Sequence, residues 1–171
     1  MKRLKIIVLA SLLTGNYYHA NSQNVGIGLS GLYNVQTESF GAGARVTLFP
    51  DHVMSLTPQV SYYFPFCKIT EWTIGAALDY KFLYRDKYYM YALVHGGYNR
   101  WTNYDESLMV DAKLNNWNCE GGIGITTTNC LRPFAEYRYN LKFQETHFNV
   151  GLLYVLGCRG GGKENCPVYK D

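Results

Sequence analysis

From residue 25 onward, apolar residues alternate with small or polar ones at a period of two. That spacing puts the two sets on opposite faces of a β-strand. Val25, Ile27, Leu29 and Tyr33 alternate with Gly26, Gly28, Ser30 and Asn34, and the same rule runs through residues 40–48, 56–64, 72–82, 117–126, 135–141 and 147–156. Residues 87–99 are also strand-like, but Tyr and apolar side chains occupy both files, so the pattern assigns them no inner face. The result is eight segments of about 9–13 residues, longer than the globular mode of about 5–6 and matched to the 9–11 residues of a bilayer-crossing strand. Turn-forming residues separate them at Thr37-Glu-Ser39, Pro50-Asp-His52, Arg85-Asp86, Thr128-Asn129 and Gln144-Glu145. One connection, 100–116, is long.

Alternation alone fits a soluble barrel with its apolar file inside or a membrane barrel with that file outside. Volume separates them. An eight-stranded barrel has an interior only just wide enough for its own side chains, and the apolar file carries Phe40, Tyr62, Phe64, Trp72, Tyr80, Phe82, Trp117, Tyr137, Tyr139, Phe148 and Tyr154. The other file is mostly Gly, Ala, Ser and Thr, with isolated charges that have room to pair across a lumen. The expected fold is therefore all-β: an eight-stranded antiparallel up-and-down transmembrane β-barrel with a short C-terminal periplasmic tail. Tyr33, Phe40, Phe64, Trp72, Tyr80, Phe82, Tyr98, Trp117, Tyr139, Phe148 and Tyr154 are expected in aromatic girdles at headgroup depth.

Composition sharpens this. Of 171 residues, 16% are aromatic and only 17% charged, against roughly 25% charged in soluble domains. The formal charge of +3 comes from Lys2, Arg3 and Lys5; without them 13 basic residues face 13 acidic ones. A neutral chain lacks the basic face that nucleic acid requires. Those three cations, the apolar run 6–13 and Ala20-Asn-Ser22 fit a secretory signal peptide cleaved after residue 22. The expected organisation is signal 1–22, barrel 23–156 and a Gly- and Cys-containing tail 157–171.

Residues 24–156, and within them Arg132-Pro-Phe-Ala-Glu-Tyr-Arg-Tyr139, resemble the small eight-stranded outer-membrane barrels of the OmpA-transmembrane and OmpX type. The resemblance implies the outer membrane of a Gram-negative bacterium, periplasmic termini, short periplasmic turns and longer outer loops. It also implies outer-membrane lipid and the barrel-assembly machinery as partners. Counted from a periplasmic N-terminus, the long 100–116 connection falls outside. The tail is too short to be the peptidoglycan-binding domain of OmpA-like proteins.

Arg45, Asp79, Lys81, Glu120, Glu136 and Arg138 fall on the lumen file. Buried charges must be paired, so they are expected to form an internal salt-bridge network that plugs the barrel. Trp101, Tyr104, Asp105, Glu106 and Asp111 are the outer-loop contact candidates, and an envelope-complex partner would meet the 100–116 loop or the tail. Exported cysteines meet an oxidising compartment: the spacing of Cys158 and Cys166 allows a bridge, Cys130 is an alternative partner for either, and Cys67 and Cys119 could pair at the outer rim. Thiols and imidazoles show no CxxC or HxxxH spacing, so no metal or cofactor is expected. The expected role is non-catalytic: structural, adhesive, or a subunit of an envelope complex. Two alternatives are a lipid A-modifying enzyme using His147, which lacks a Ser two positions on, and a soluble lipocalin-like carrier.

Overall fold

A computed structural model describes residues 25–64, 70–102 and 114–158. It contains eight strands: β1 (Val25–Asn34), β2 (Ser39–Leu48), β3 (Met54–Tyr63), β4 (Thr70–Tyr84), β5 (Tyr88–Thr102), β6 (Asn115–Thr127), β7 (Leu131–Asn140) and β8 (Glu145–Val155). Each pairs antiparallel with its sequence neighbour, and β8 returns to β1, from Gly26↔Val155 to Asn34↔His147, to close the barrel. Closure leaves no strand edge unpaired, as a hydrocarbon environment demands.

The alternation has the sense expected for a membrane barrel. The file bearing Ile27, Leu29, Val60, Ile74, Leu78, Val94, Ile123, Val150 and Leu152 is exposed, whereas Arg45, Thr57, Asp79, Glu120, Glu136 and Asn149 are buried. An aliphatic waist is flanked by aromatic residues at both rims. Phe40, Phe64, Trp72, Trp117, Tyr139 and Phe148 are exposed near the rim of the longer connections, with Tyr33 and Tyr98 partly covered among them; Tyr80, Phe82 and Tyr154 are exposed near the rim of the chain ends. Ring pairs tie neighbouring strands there, Tyr33–Phe40 at 4.8 Å and Tyr98–Trp117 at 5.3 Å. The carrier reading, with the apolar file lining a cavity, is overturned by this orientation.

β5 is where periodicity assigned no face. Its inward file is Tyr89, Tyr91, Leu93, His95, Asn99 and Trp101, and the first three form an apolar cluster inside the lumen. Glycines opposite make the space: a Cβ on Gly124 would overlap the Tyr91 ring. Gly124→Ala is expected to destabilise the barrel by about 1–3 kcal/mol, because an overpacked ring must leave its rotamer. Urea unfolding in lipid vesicles measures it, and a change below about 0.5 kcal/mol, the size of an ordinary surface effect, would contradict the packing.

Two turns share one device. The Asn34 side-chain carbonyl accepts from the N–H groups of Gln36 and Thr37, and that of Asn140 accepts from Lys142 and Phe143. Four residues after each Asn, Glu38 and Gln144 take left-handed φ values of 50° and 54°, which return the chain into the next strand.

At the opposite rim a disulfide joins Cys130 to Cys158. Gly157, at φ 71°, turns the chain so that Cys158 reaches Cys130 after β8 ends. This corrects the Cys158–Cys166 pairing: the β6–β7 turn lies beside the end of β8, where the backbone N–H of Val155 already donates to the Cys130 carbonyl. Cys119 is an exposed free thiol, which removes the Cys67–Cys119 pairing. Cys67, Cys166, the signal segment and most of the tail lie outside the described residues. A non-reducing digest is expected to release the Cys130 and Cys158 peptides as one linked species, with Cys119 open to alkylation. A Cys158–Cys166 peptide would contradict the assignment.

Candidate functional site

The lumen is organised around Glu136 on β7, whose carboxylate is almost wholly buried. Arg45 from β2 grips it with two donors, at 2.6 and 2.9 Å, and Arg138 donates from Nε at 2.9 Å and from a terminal nitrogen at 2.5 Å. The Tyr91 hydroxyl at 2.7 Å and the Asn149 amide at 2.9 Å complete the shell. The carboxylate therefore ties together side chains from β2, β5, β7 and β8. The Arg45 guanidinium also lies 4.0 Å over the Phe134 ring, a cation–π contact. Arg138 reaches on to Gln59 at 3.1 Å and approaches Glu120 at 3.7 Å.

Towards the rim of the longer connections the network continues from Glu120 through groups outside the six expected lumen charges. Glu120 meets His95 at 3.2 Å and His147 at 3.7 Å. His147 accepts or donates with the Tyr63 hydroxyl at 3.2 Å and lies 3.4 Å from Glu145, which takes a bond from Asn34. Glu71 is bonded by Thr73 and Asn99. Glu71, Glu145 and His147 share the inward parity of their strands, and that parity was the signal that could have found them.

Asp79 and Lys81 need correction. Both face the lumen, but among the described residues neither makes an ion pair. Asp79 takes a 2.7 Å bond from the Thr57 hydroxyl, because Lys81, two residues along the same strand, points to the rim. There its ammonium donates to the backbone carbonyls of Pro50 and His52. Arg132, outside the six expected lumen charges, is a second inward-facing cation at this rim and pairs with Asp51 at 2.7 Å. Together they hold the 49–53 turn inward, with Pro50 fully buried. Between this floor and Glu136 a cavity of about 20 Å³, lined by Arg45, Asp79, Lys81 and Tyr91, has room for a single water.

Trp101 is also corrected. It belongs to β5 rather than to an outer loop, and it is buried with its ring 5.1 Å from that of Phe143, which the β7–β8 turn brings inward. The other outer-loop candidates, Tyr104, Asp105, Glu106 and Asp111, lie outside the described residues.

A general base works only within hydrogen-bond reach of the group it deprotonates. His147 is buried and faces the lumen, and Asn149 beside it is bonded to Glu136.

The barrel matches the N-terminal β-barrel domain of Pseudomonas aeruginosa OprF with a TM-score of 0.58 at 15% identity, over 77% of this chain and 97% of that one. It matches a structure from the de novo design of transmembrane β-barrels with a TM-score of 0.52 at 13% identity, over 77% of this chain and 94% of that one. The Yersinia pestis outer membrane protein Ail, in a phospholipid bilayer nanodisc, matches with a TM-score of 0.50 at 10% identity, over 76% and 97%. No protein-family model and no curated protein matches the sequence. The likeness is one of fold, that of small closed outer-membrane barrels. A designed chain shares it, so the fold by itself carries no activity.

Proposed function

We propose that this protein is a non-conducting integral barrel of the Gram-negative outer membrane, with both termini in the periplasm, whose contacts with other molecules are made outside the lumen. The observation that carries this reading is the Glu136 cluster: side chains from four strands converge on one carboxylate and fill the middle of the barrel. A lumen filled in this way offers no water column, in keeping with the narrow bore of eight strands. What remains available for work is the outer face and the longer connections. The role is then structural, adhesive, or that of an envelope-complex subunit meeting partners through 103–113 or the tail.

The test combines three readouts on the full chain. Unboiled protein from the membrane fraction should migrate differently from boiled protein in a detergent gel. Planar bilayers containing it should show no conductance steps. An epitope in 103–113 should be reached on intact cells, and one at the C-terminus only after permeabilisation. Regular single-channel steps would overturn the closed lumen, and the opposite epitope pattern would overturn the orientation.

A further inference from the structure

Among the described residues, the charged side chains on strands follow one rule with one exception. Arg45, Glu71, Asp79, Lys81, Glu120, Arg132, Glu136, Arg138 and Glu145 all occupy inward positions, whereas Arg100 on β5 is exposed on the outer face. A lone guanidinium on an otherwise apolar surface is costly at bilayer midplane and falls to about 0–1 kcal/mol near the interface. Arg100 is at the interface. It stands one pleat beyond Tyr98, which packs against Trp117, and the register sets it directly opposite Trp72 on β4 and Asn115 on β6. Trp117, on the same face, is 74% exposed and Trp72 is 52% exposed, so these side chains stand together on the outer surface.

We propose that Arg100, flanked by Trp72, Trp117 and Asn115, holds the phosphate of a lipid headgroup against the outer face of the barrel. The partner follows from chemistry. A planar guanidinium presents paired donors that match phosphate oxygens. The adjacent Asn115, also exposed, adds an amide donor. Indole rings settle at headgroup depth and cover the upper acyl chain. Lys142, exposed on the nearby β7–β8 turn and bonded to Asn116 at 3.0 Å, adds positive charge on the same rim. Attraction of this kind is worth about a fivefold change in lipid occupancy per cation near a membrane surface.

This inference rests on the proposed membrane placement, and the experiment separates the two. Wild type, Arg100→Gln, Arg100→Lys and a lipid-facing control, Ile123→Val, are reconstituted in vesicles of phosphatidylcholine with equal small amounts of phosphatidylglycerol and diphosphorylated lipid A. The lipid retained after mild detergent extraction is then weighed by native mass spectrometry. The expected result is retention of phosphate-bearing anionic lipid over phosphatidylcholine by wild type and the control, about fivefold lower retention for Arg100→Gln, and intermediate retention for Arg100→Lys. Free inorganic phosphate should fail to displace the lipid, because the flanking rings hold the acyl end; displacement would overturn the lipid as ligand. Equal retention by wild type and Arg100→Gln would overturn the proposal, including the case where an acidic residue of the 103–113 connection occupies Arg100. Heat-dependent migration is read on the same samples, so failure of membrane folding counts against the placement and not against the lipid site.

Discussion

Glu136→Gln should cost the barrel about 3–5 kcal/mol, the largest loss expected of any single lumen substitution. Among the described residues the carboxylate is the only anion within 4 Å of Arg45, and it makes the short contacts to Arg138, whose approach to Glu120 is 3.7 Å. Glutamine keeps the shape and one acceptor but withdraws the charge, leaving two guanidiniums facing each other in a water-poor interior. Removing one partner of a buried cluster is worse than removing the cluster, because the remaining charge has lost its hydration and gained nothing. The triple replacement Arg45→Met, Glu136→Met, Arg138→Leu should therefore recover much of the loss. Asp79→Asn, which keeps the Thr57 bond and strands no cation, should cost under about 1.5 kcal/mol. Urea titration of vesicle-inserted protein, read by gel migration, gives all three values. A Glu136→Gln loss no larger than that of Asp79→Asn would mean that Glu136 does not organise the lumen.

Leu29→Arg should cost about 2–4 kcal/mol if the outer face meets hydrocarbon. Leu29 lies mid-strand in β1, paired with Ala44 on one side and Leu152 on the other, and it is 69% exposed. On a water-facing surface the same change would fall within about 0.5 kcal/mol. Two solvents thus predict results several-fold apart from one substitution that touches no internal contact. Folding efficiency in vesicles, with Leu29→Ala as reference, reads the difference. A neutral result would place this face in water.

The pattern of the chain carried the architecture because period-two alternation is a local property. Each strand states its own two faces, and the volume of eleven large side chains decides which face cannot be inside. β5 escaped this logic because its inward file, Tyr89 to Trp101, is itself bulky. The room for Tyr91 is made by Gly124, which the register sets directly opposite on the neighbouring strand. The β-strand position of Trp101 is invisible in the sequence because nothing there says that β4 and β5 extend upward together as far as Thr70↔Thr102.

The lumen charges show the same division. Inward parity puts Arg45, Glu120, Glu136 and Arg138 on the lumen file, and all four are buried there, since parity depends only on position in the strand. Their partners depend on height along the barrel axis and on stagger between strands far apart in sequence. Lys81 left Asp79 for the carbonyls of Pro50 and His52 because two residues along a strand move a side chain by about 7 Å. Cys130 won Cys158 because the β7–β8 register, with Leu131 opposite Tyr154, brings the β6–β7 turn beside the end of β8, whereas spacing alone leaves the connectivity of five thiols open. By itself, then, the sequence determined strand number, the faces of seven strands and the exposure of an apolar band, all set by alternation and side-chain volume. Only the closed barrel decided which charges meet, which cysteines join and which arginine stands on the outer face, because those outcomes are set by distances across the lumen and around the rim that no local pattern encodes.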